Sequence, residues 1–493
     1  MKQFSFWMTS FFLFLTIGMN GQTASEAFQL SQSDPFGTAR NLGTGNSMFA
    51  IGPDFSAIGL NPSGLGGYRK SEFLFSGSLA FNGYTTALNN NSADQQDGFS
   101  KFNISNIGFV VYNQPRGSSW TSSNWAIGLN RVADFNRELN FSGNSLGSIT
   151  DRWRELAEGL DPDDLNGFEE GLAFETGAIY DFENDNIYES DYQINDQYSL
   201  FKKATSYTEG GKSELFLAYG ADFNQKVMIG ISVGMPFVNY TQNKIYQEQD
   251  EAGDGVPFFN ELEYASYINT SGEGINGKIG VTVKPTRFLN IAFAFHSPTR
   301  LGLTDNFYTD LSYDYTDENH NGPLTESSDD GTFTYALRTP WSASGGAGYV
   351  IGKSGFIAAH LKFTDYASMK YDYSVKGNGD RYDDLENAVN NNIKSIYGSA
   401  LQVNAGGELA MNFFRVRGGV TLQQSAFNND KSFDPSIHAG AGYRGDNFYA
   451  DLGYKFTTRD EGYLPYETED APQPLVVADY TQHQLIATVG FKF

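Results

Sequence analysis

The 493-residue chain contains no cysteine. That removes disulfides, thiol catalysis, cysteine-based metal sites and a lipid-modified N-terminal cysteine. Positive charge is scarce: 33 Lys and Arg stand against 58 Asp and Glu, a formal net charge of −25. Nucleic acid needs a basic stripe, so it is excluded as a partner. Proline is sparse at 15 residues. Histidine is sparser, with five residues at 296, 320, 360, 438 and 483 and no metal-ligand spacing. There is no Gly-x-Ser-x-Gly elbow and no phosphate loop. No enzyme activity, cofactor or metal is therefore expected. Beyond the first 20 residues no apolar run approaches the ~18 residues of a spanning helix. That absence does not touch a membrane barrel, whose strands are only half apolar.

What is present points to strands. The chain carries 54 Gly, 41 Phe and 29 Tyr. Its last residues, QHQLIATVGFKF, place Leu485, Ala487, Val489, Phe491 and Phe493 on one side. Polar or small residues occupy the other, with Ile486 the exception. The same period of two recurs in SELFLAYGADF, KVMIGISVGMPF, RFLNIAFAFH and DNFYADLGYKF. The second face is rich in Gly, Ala and single polar groups, as in a barrel whose lumen is occupied. Fourteen such segments run from 73–88 to 481–493, among them 124–142, 287–314 and 332–351, each read as one strand. Short turns alternate with long loops, the arrangement of outer-membrane barrels. The reading is an all-β fold: a fourteen-stranded antiparallel transmembrane barrel over 73–493, its odd terminal face against lipid.

The N-terminus, MKQFSFWMTSFFLFLTIGMNGQ, has a Lys, a short apolar core and a small polar end. This predicts a secretory signal peptide over 1–22 and an exported chain. Residues 23–72 show no strand alternation, yet they carry Phe28, Phe36, Phe49, Phe55 and Leu60 among many Gly, Ser and Asn. A segment of this kind needs burial to be ordered. The small faces of the strands leave room for it, so it is read as a plug in the lumen. The long loop 143–210 holds sixteen Asp and Glu against four Lys and Arg. Within it, Ile149, Trp153, Leu156 and Leu160 have helical spacing, followed by a Pro162-Asp163-Asp164 helix start. A solvated acidic surface is favoured there over a Ca²⁺ or Mg²⁺ site.

The stretch GTARNLGTGNSMFAIGPDFSAIGLNPSGLGGYRKSEF resembles the N-terminal hatch of FadL-type outer-membrane transporters. That hatch runs from a Gly-x-Ala-Arg-like stretch to an Asn-Pro-Ala-Gly turn before the first strand. Asn61, Pro62 and Gly64 match the turn, and Ser63 stands where Ala is usual. LRTPWSASGGAGYVIGKSGFIAAHLKFTDYASMKY, residues 337–371, is similar to that family's Thr-Pro-Trp strand and Asp-Tyr segment. The likeness continues to the terminal Phe and is weakest in 143–210. It implies a monomeric fourteen-stranded barrel with a hatch, in the outer membrane of a Gram-negative cell. It also implies passive uptake of hydrophobic compounds, such as long-chain fatty acids or aromatic hydrocarbons, through an outer groove, a lumen pocket and movement of the hatch. The partners are then outer-membrane lipids and a hydrophobic small molecule.

On that reading Phe36, Phe49 and Phe55 are candidate pocket walls. Arg131, Lys278, Arg338 and Lys362 are candidate cations for a carboxylate. Trp153, Leu156, Leu160 and Phe168 are candidates for the outer groove. The bland readings compete directly: plug anchors, lumen ion pairs with acids such as Asp222 and Asp365, and simple packing of the loop into a cap. The alternative function is a barrel adaptor in protein secretion or surface attachment, without small-molecule transport.

Overall fold

A computed structural model describes residues 22–33, 36–89, 95–253, 255–375 and 382–493, with only the backbone of residues 95–97 and 99. The expected signal peptide lies outside the described residues except for Gln22. Alternating residues form long antiparallel strands that close on themselves. The first half of the wall is β1 (Glu72–Leu88), β2 (Gln95–Val111), β3 (Trp120–Asp134), β4 (Arg137–Ser145), β5 (Leu200–Phe223), β6 (Val227–Gln249) and β7 (Phe259–Val283). It continues through β8 (Leu289–His296), β9 (Arg300–Thr316), β10 (Asn321–Ser327), β11 (Gly331–Arg338), β12 (Ser342–Ile351), β13 (Gly355–Asp365) and β14 (Lys370–Asp372). The last strands are β15 (Ser399–Met411), β16 (Phe414–Gln424), β17 (Phe433–Arg444), β18 (Phe448–Tyr463) and β19 (Val476–Lys492). β19 pairs back onto β1 from Glu72↔Lys492 to Leu88↔Val476, so the sheet has no free edge there.

Several of these strands are two halves of one wall strand. β3 and β4 run in sequence along β5, β8 and β9 along β7, and β12 and β11 along β8 and β9. β10 is a hairpin arm on β9, and β14 is a short piece beyond β13. The wall is therefore a closed fourteen-stranded antiparallel barrel. The continuous reading of 124–142, 287–314 and 332–351 is corrected: each breaks, the last two beside Pro298 and Pro340. A proline has no N–H to give a ladder. The acidic loop is also shorter than 143–210, because β4 runs to Ser145 and β5 starts at Leu200.

Exposure follows the sequence parity. Leu217 is 52% exposed, Ile231 52% and Phe293 58%, while their neighbours Phe216, Ser232 and Ala292 are almost fully buried. An apolar exterior of this extent is stable only against lipid. Ile486, the misfit in the terminal strand, is buried inside against Ala39 and Leu42. No described helix is long and apolar enough to cross a membrane.

The plug is a chain of short helices: α1 (Ala24–Ser31), α2 (Ala39–Gly43) and α3 (Phe55–Leu60), with tight single turns at Ser47–Ala50 and Pro62–Gly67. Thr23, Thr38, Asp54 and Asn61 cap their N-termini with side-chain oxygens. The acidic loop folds as α4 (Ile149–Ala157) and α5 (Glu170–Glu175) around an aromatic centre. α6 (Asp383–Ile396), which the strand reading left as loop, packs on α1 and β14.

Candidate functional site

The site is the plugged lumen, and it is built from the hatch turn outward. Asn61 Oδ1 accepts from the Ser63 N–H (3.2 Å) and hydroxyl (2.7 Å). Its Nδ2 donates to the Phe49 carbonyl (3.1 Å) and to Thr282 Oγ1 on β7 (3.2 Å). One side chain thus closes the turn, ties two plug segments together and bonds the wall. Pro62 opens the following 3₁₀ turn, where its missing N–H costs nothing. Gly64 sits buried beside the Gly52 carbonyl. Under this turn the wall is glycine: a Cβ at Gly230 would collide with the Pro62 backbone, and one at Gly280 with Asn61. Across the lumen Gly43 of α2 and Gly440 of β17 meet backbone to backbone, with 2.9 Å between a Gly43 Cβ and the Gly440 Cα.

Ion pairs bolt the same half of the plug. Arg40 forks onto Glu408 of β15, at 3.0 and 3.1 Å. Arg417 reaches the same carboxylate at 2.7 Å. Arg69 pairs with the fully buried Asp222 of β5. Such bidentate, partly buried pairs fix geometry as well as charge. Asp222 was read from the sequence as an acid of a lumen ion pair, but its partner Arg69 and the Arg40–Glu408–Arg417 group were not singled out. For Arg40 the only hint was a charge in otherwise small, polar surroundings.

The three phenylalanines anchor the plug. Phe49 stacks on His360 at 4.9 Å, Phe55 packs on Phe216 at 5.3 Å in slots left by Gly108 and Gly128, and Phe36 lies on the Ala39–Leu42–Ile486 cluster. They do not line the lumen cavity. That cavity is polar and about 60 Å³, the space of about two waters. It is lined by Lys212, Glu214, Lys278, His296 and Lys362, and by Pro340 at one strand break. Lys278 is ion-paired with Glu214. Lys362 Nζ donates to the Ser33 carbonyl at 3.3 Å. Arg338 is exposed, on the face opposite the buried Leu337, and is corrected as a lumen cation.

Arg131 marks a different feature. Its Nη2 donates to the Gly210 carbonyl (2.6 Å) and to Asp134 (3.2 Å), and its own carbonyl accepts from the Phe36 N–H (3.1 Å). Here β3 leaves the wall. β2 pairs with β3 only from Asn106 to Val111; from Gln95 to Ser105 its ladder partner is β1 alone. β4 runs inside instead, where Asn82 Nδ2 donates to the Asn136 carbonyl (3.1 Å) and Thr86 Oγ1 to the Asn140 carbonyl (2.6 Å). The wall is left with a seam closed by side chains. Asn103 Nδ2 donates to Asp134 Oδ2 at 3.0 Å, and Lys101 meets Glu209 at 3.2 Å. Outside the seam Phe102 and Ile104 are exposed. The sequence sign was Asp134 and Asn136, residue types depleted in strands.

The long loop caps the opposite mouth. Trp153 is fully buried against Tyr264 (5.6 Å) and forms the centre of the cap. It is therefore corrected as a groove wall. Phe168 stacks on Phe307 at 4.8 Å, Leu156 is half-buried and Leu160 is exposed. The cap is pinned by Ser148, whose hydroxyl donates to Glu248 at 2.6 Å, and by Asp191, which accepts from the Tyr313 hydroxyl at 2.8 Å. Burial raises the Asp151 carboxyl to about 6, against its bond from the Ser148 N–H, and raises Asp191 likewise. No group of acids with metal-site geometry occurs among the described residues.

No family model and no curated protein sequence matches the chain. Solved structures do. The toluene transporter TodX of Pseudomonas putida aligns with 94% of this chain and 100% of its own, at 11% identity and a TM-score of 0.53. A FadL homologue of Pseudomonas aeruginosa aligns over 94% and 100%, at 13% identity and a TM-score of 0.54. The chain thus has the fold of the FadL-type barrels.

Proposed function

We propose that the protein is an outer-membrane channel for passive uptake of hydrophobic small molecules, with long-chain fatty acids and aromatic hydrocarbons as the substrate class. The observation that carries this reading is the seam between β2 and β4. An apolar solute that reaches the lumen gains nothing by crossing the bolted half of the plug into water. A side exit returns it to lipid, and along the seam no backbone ladder must break. Opening it breaks side-chain contacts, Asn103–Asp134 and Lys101–Glu209, rather than a ladder. The bolts confine hatch movement to the segment before α2, whose Phe36 N–H is tied to the seam at Arg131. The structures that share the fold are described as a toluene transporter and a FadL homologue, which supports the same class.

The test uses the absence of cysteine. In an Asn103→Cys/Asp134→Cys double variant the two new thiols are the only ones in the chain. In liposomes, uptake of a fluorescent fatty acid is expected to stop on oxidation and return with reductant. Uptake unaffected by the closed disulfide rules out the seam as exit. No protein-dependent uptake of fatty acid or toluene by the unmodified chain removes the transporter reading and favours a secretion adaptor.

A further inference from the structure

The charge of this protein is divided between the two ends of the barrel. The turns at the end where β1 begins and β19 stops are 69–71, 112–119, 224–226, 284–288, 352–354, 412–413 and 445–447. They hold Arg69, Lys70, Arg116, Lys226, Lys284, Arg287 and Lys353 against a single acid, Asp446. At the other end, residues 146–199 alone hold fifteen Asp and Glu against two Arg. A chain of net charge −25 therefore presents a positive collar on its short-turn rim. Arg116, Lys226, Arg287 and Lys353 are exposed, and none of them forms an ion pair among the described residues.

A second observation lies on the same rim. Four guanidinium groups, Arg40, Arg415, Arg417 and Arg444, share two carboxylates, Glu408 and Asp451. Arg417 is fully buried, and its Nη2 has no acceptor. Arg415 reaches Glu408 only at 3.9 Å. Within ion-pair distance these four cations meet only the two carboxylates among the described residues. On the outward face of the same rim runs an apolar groove of about 830 Å³, formed by Met411, Phe413, Phe414, Tyr443 and Leu452 and bordered by Arg415. Cations in excess next to an open apolar channel, at the level where a barrel meets headgroups, match a phosphate joined to acyl chains.

We infer that the short-turn rim is a binding collar for anionic phospholipid of the leaflet it faces. The groove takes an acyl chain, Arg415 faces the phosphate, and the exposed lysines and arginines hold further headgroups around the ring. The collar fixes the depth and tilt of the barrel whatever the lumen carries, so it does not rest on the transport reading. The acidic loop end is repelled by the same headgroups, and the two ends together set one orientation.

The experiment compares the full-length protein with the quadruple variant Arg116→Gln/Lys226→Gln/Arg287→Gln/Lys353→Gln and with Arg415→Gln. Each is placed in nanodiscs of mixed phosphatidylglycerol and phosphatidylcholine, then released and weighed by native mass spectrometry. Phosphatidylglycerol is expected to be retained about tenfold over phosphatidylcholine, and 0.5 M NaCl to abolish most of that preference. The quadruple variant is expected to lose about tenfold of it, and Arg415→Gln to lose the last, most tightly held lipid. Equal retention of both lipids by the unmodified protein overturns the inference, as does a salt-insensitive preference. Full displacement by millimolar inorganic phosphate assigns the cluster to free phosphate and overturns the lipid assignment. If the quadruple variant does not fold, the salt dependence of the unmodified protein decides alone.

Discussion

The barrel is stopped at both mouths, by two devices of opposite chemistry. The plug half from α2 to Tyr68 meets the wall backbone to backbone, over glycines, and is held by Arg40–Glu408, Arg69–Asp222 and Asn61–Thr282. The loop cap meets the wall through large side chains: Trp153, Tyr188, Tyr246 and Tyr313 lie in one cluster. The plug is a fit of absent side chains with a few strong polar bolts. The cap is a core with its own burial energy. The first tolerates no added volume, and the second tolerates no removed volume.

That contrast orders the expected effects. Trp153→Ala should cost the cap about 3–5 kcal/mol, seen as rapid amide exchange across 147–195 with the barrel still resistant to heat in detergent. Trp153→Phe should lose much less, since the indole N–H has no acceptor in the cap. If both variants cost the same, the cap is not held by volume. Gly230→Val should cost about 1–3 kcal/mol by forcing the wall off the Pro62 backbone. The readout is an unseated plug, detected as raised single-channel conductance; unchanged conductance would sink the close-fit account. Arg40→Ala should cost about 1–3 kcal/mol, tempered because Arg417 still holds Glu408, with a matching fall in the urea midpoint.

The smallest effect is one of pH, in the cap. The folded Asp151 carboxyl, at about 6, lies above its ordinary value near 4, so the folded cap binds that proton more tightly than the unfolded one. Its contribution is fully present below about pH 4 and is lost as pH rises towards 6. The protection of the α4 amides, with the intrinsic base-catalysed rate divided out, should therefore fall by up to about tenfold between pH 4 and 7. In Asp151→Asn that fall should disappear; a fall that persists assigns the pH dependence to Asp191.

Much of the fold was legible because strand parity is local. Leu217 against Phe216 and Ile231 against Ser232 need only their neighbours in sequence to declare which faces lipid. The plug could be read as needing burial, though not as helical, since its turns of four to eight residues are too short to carry a 3.6-residue period. The candidate site was harder. The reading picked Phe36, Phe49 and Phe55 for their size, and they anchor the plug. It picked Lys278 and Lys362 by face, and they border the polar cavity. It missed Glu408, Asp134 and Asn103 altogether, because each acts through a partner far along the chain. Pro298 and Pro340 were visible strand-breakers whose effect the parity of their flanks concealed.

By itself, the sequence determined a closed sheet of two-faced strands, a small-residue inner face with something to accommodate, and acid gathered in one loop. Those are properties of residue type and spacing. Only the tertiary structure decided where the ladder is missing and which carboxylate holds which guanidinium. The reason is geometric: closing the cylinder brings Arg40 to Glu408 and Phe36 to Arg131, and no local pattern encodes a meeting between segments so far apart.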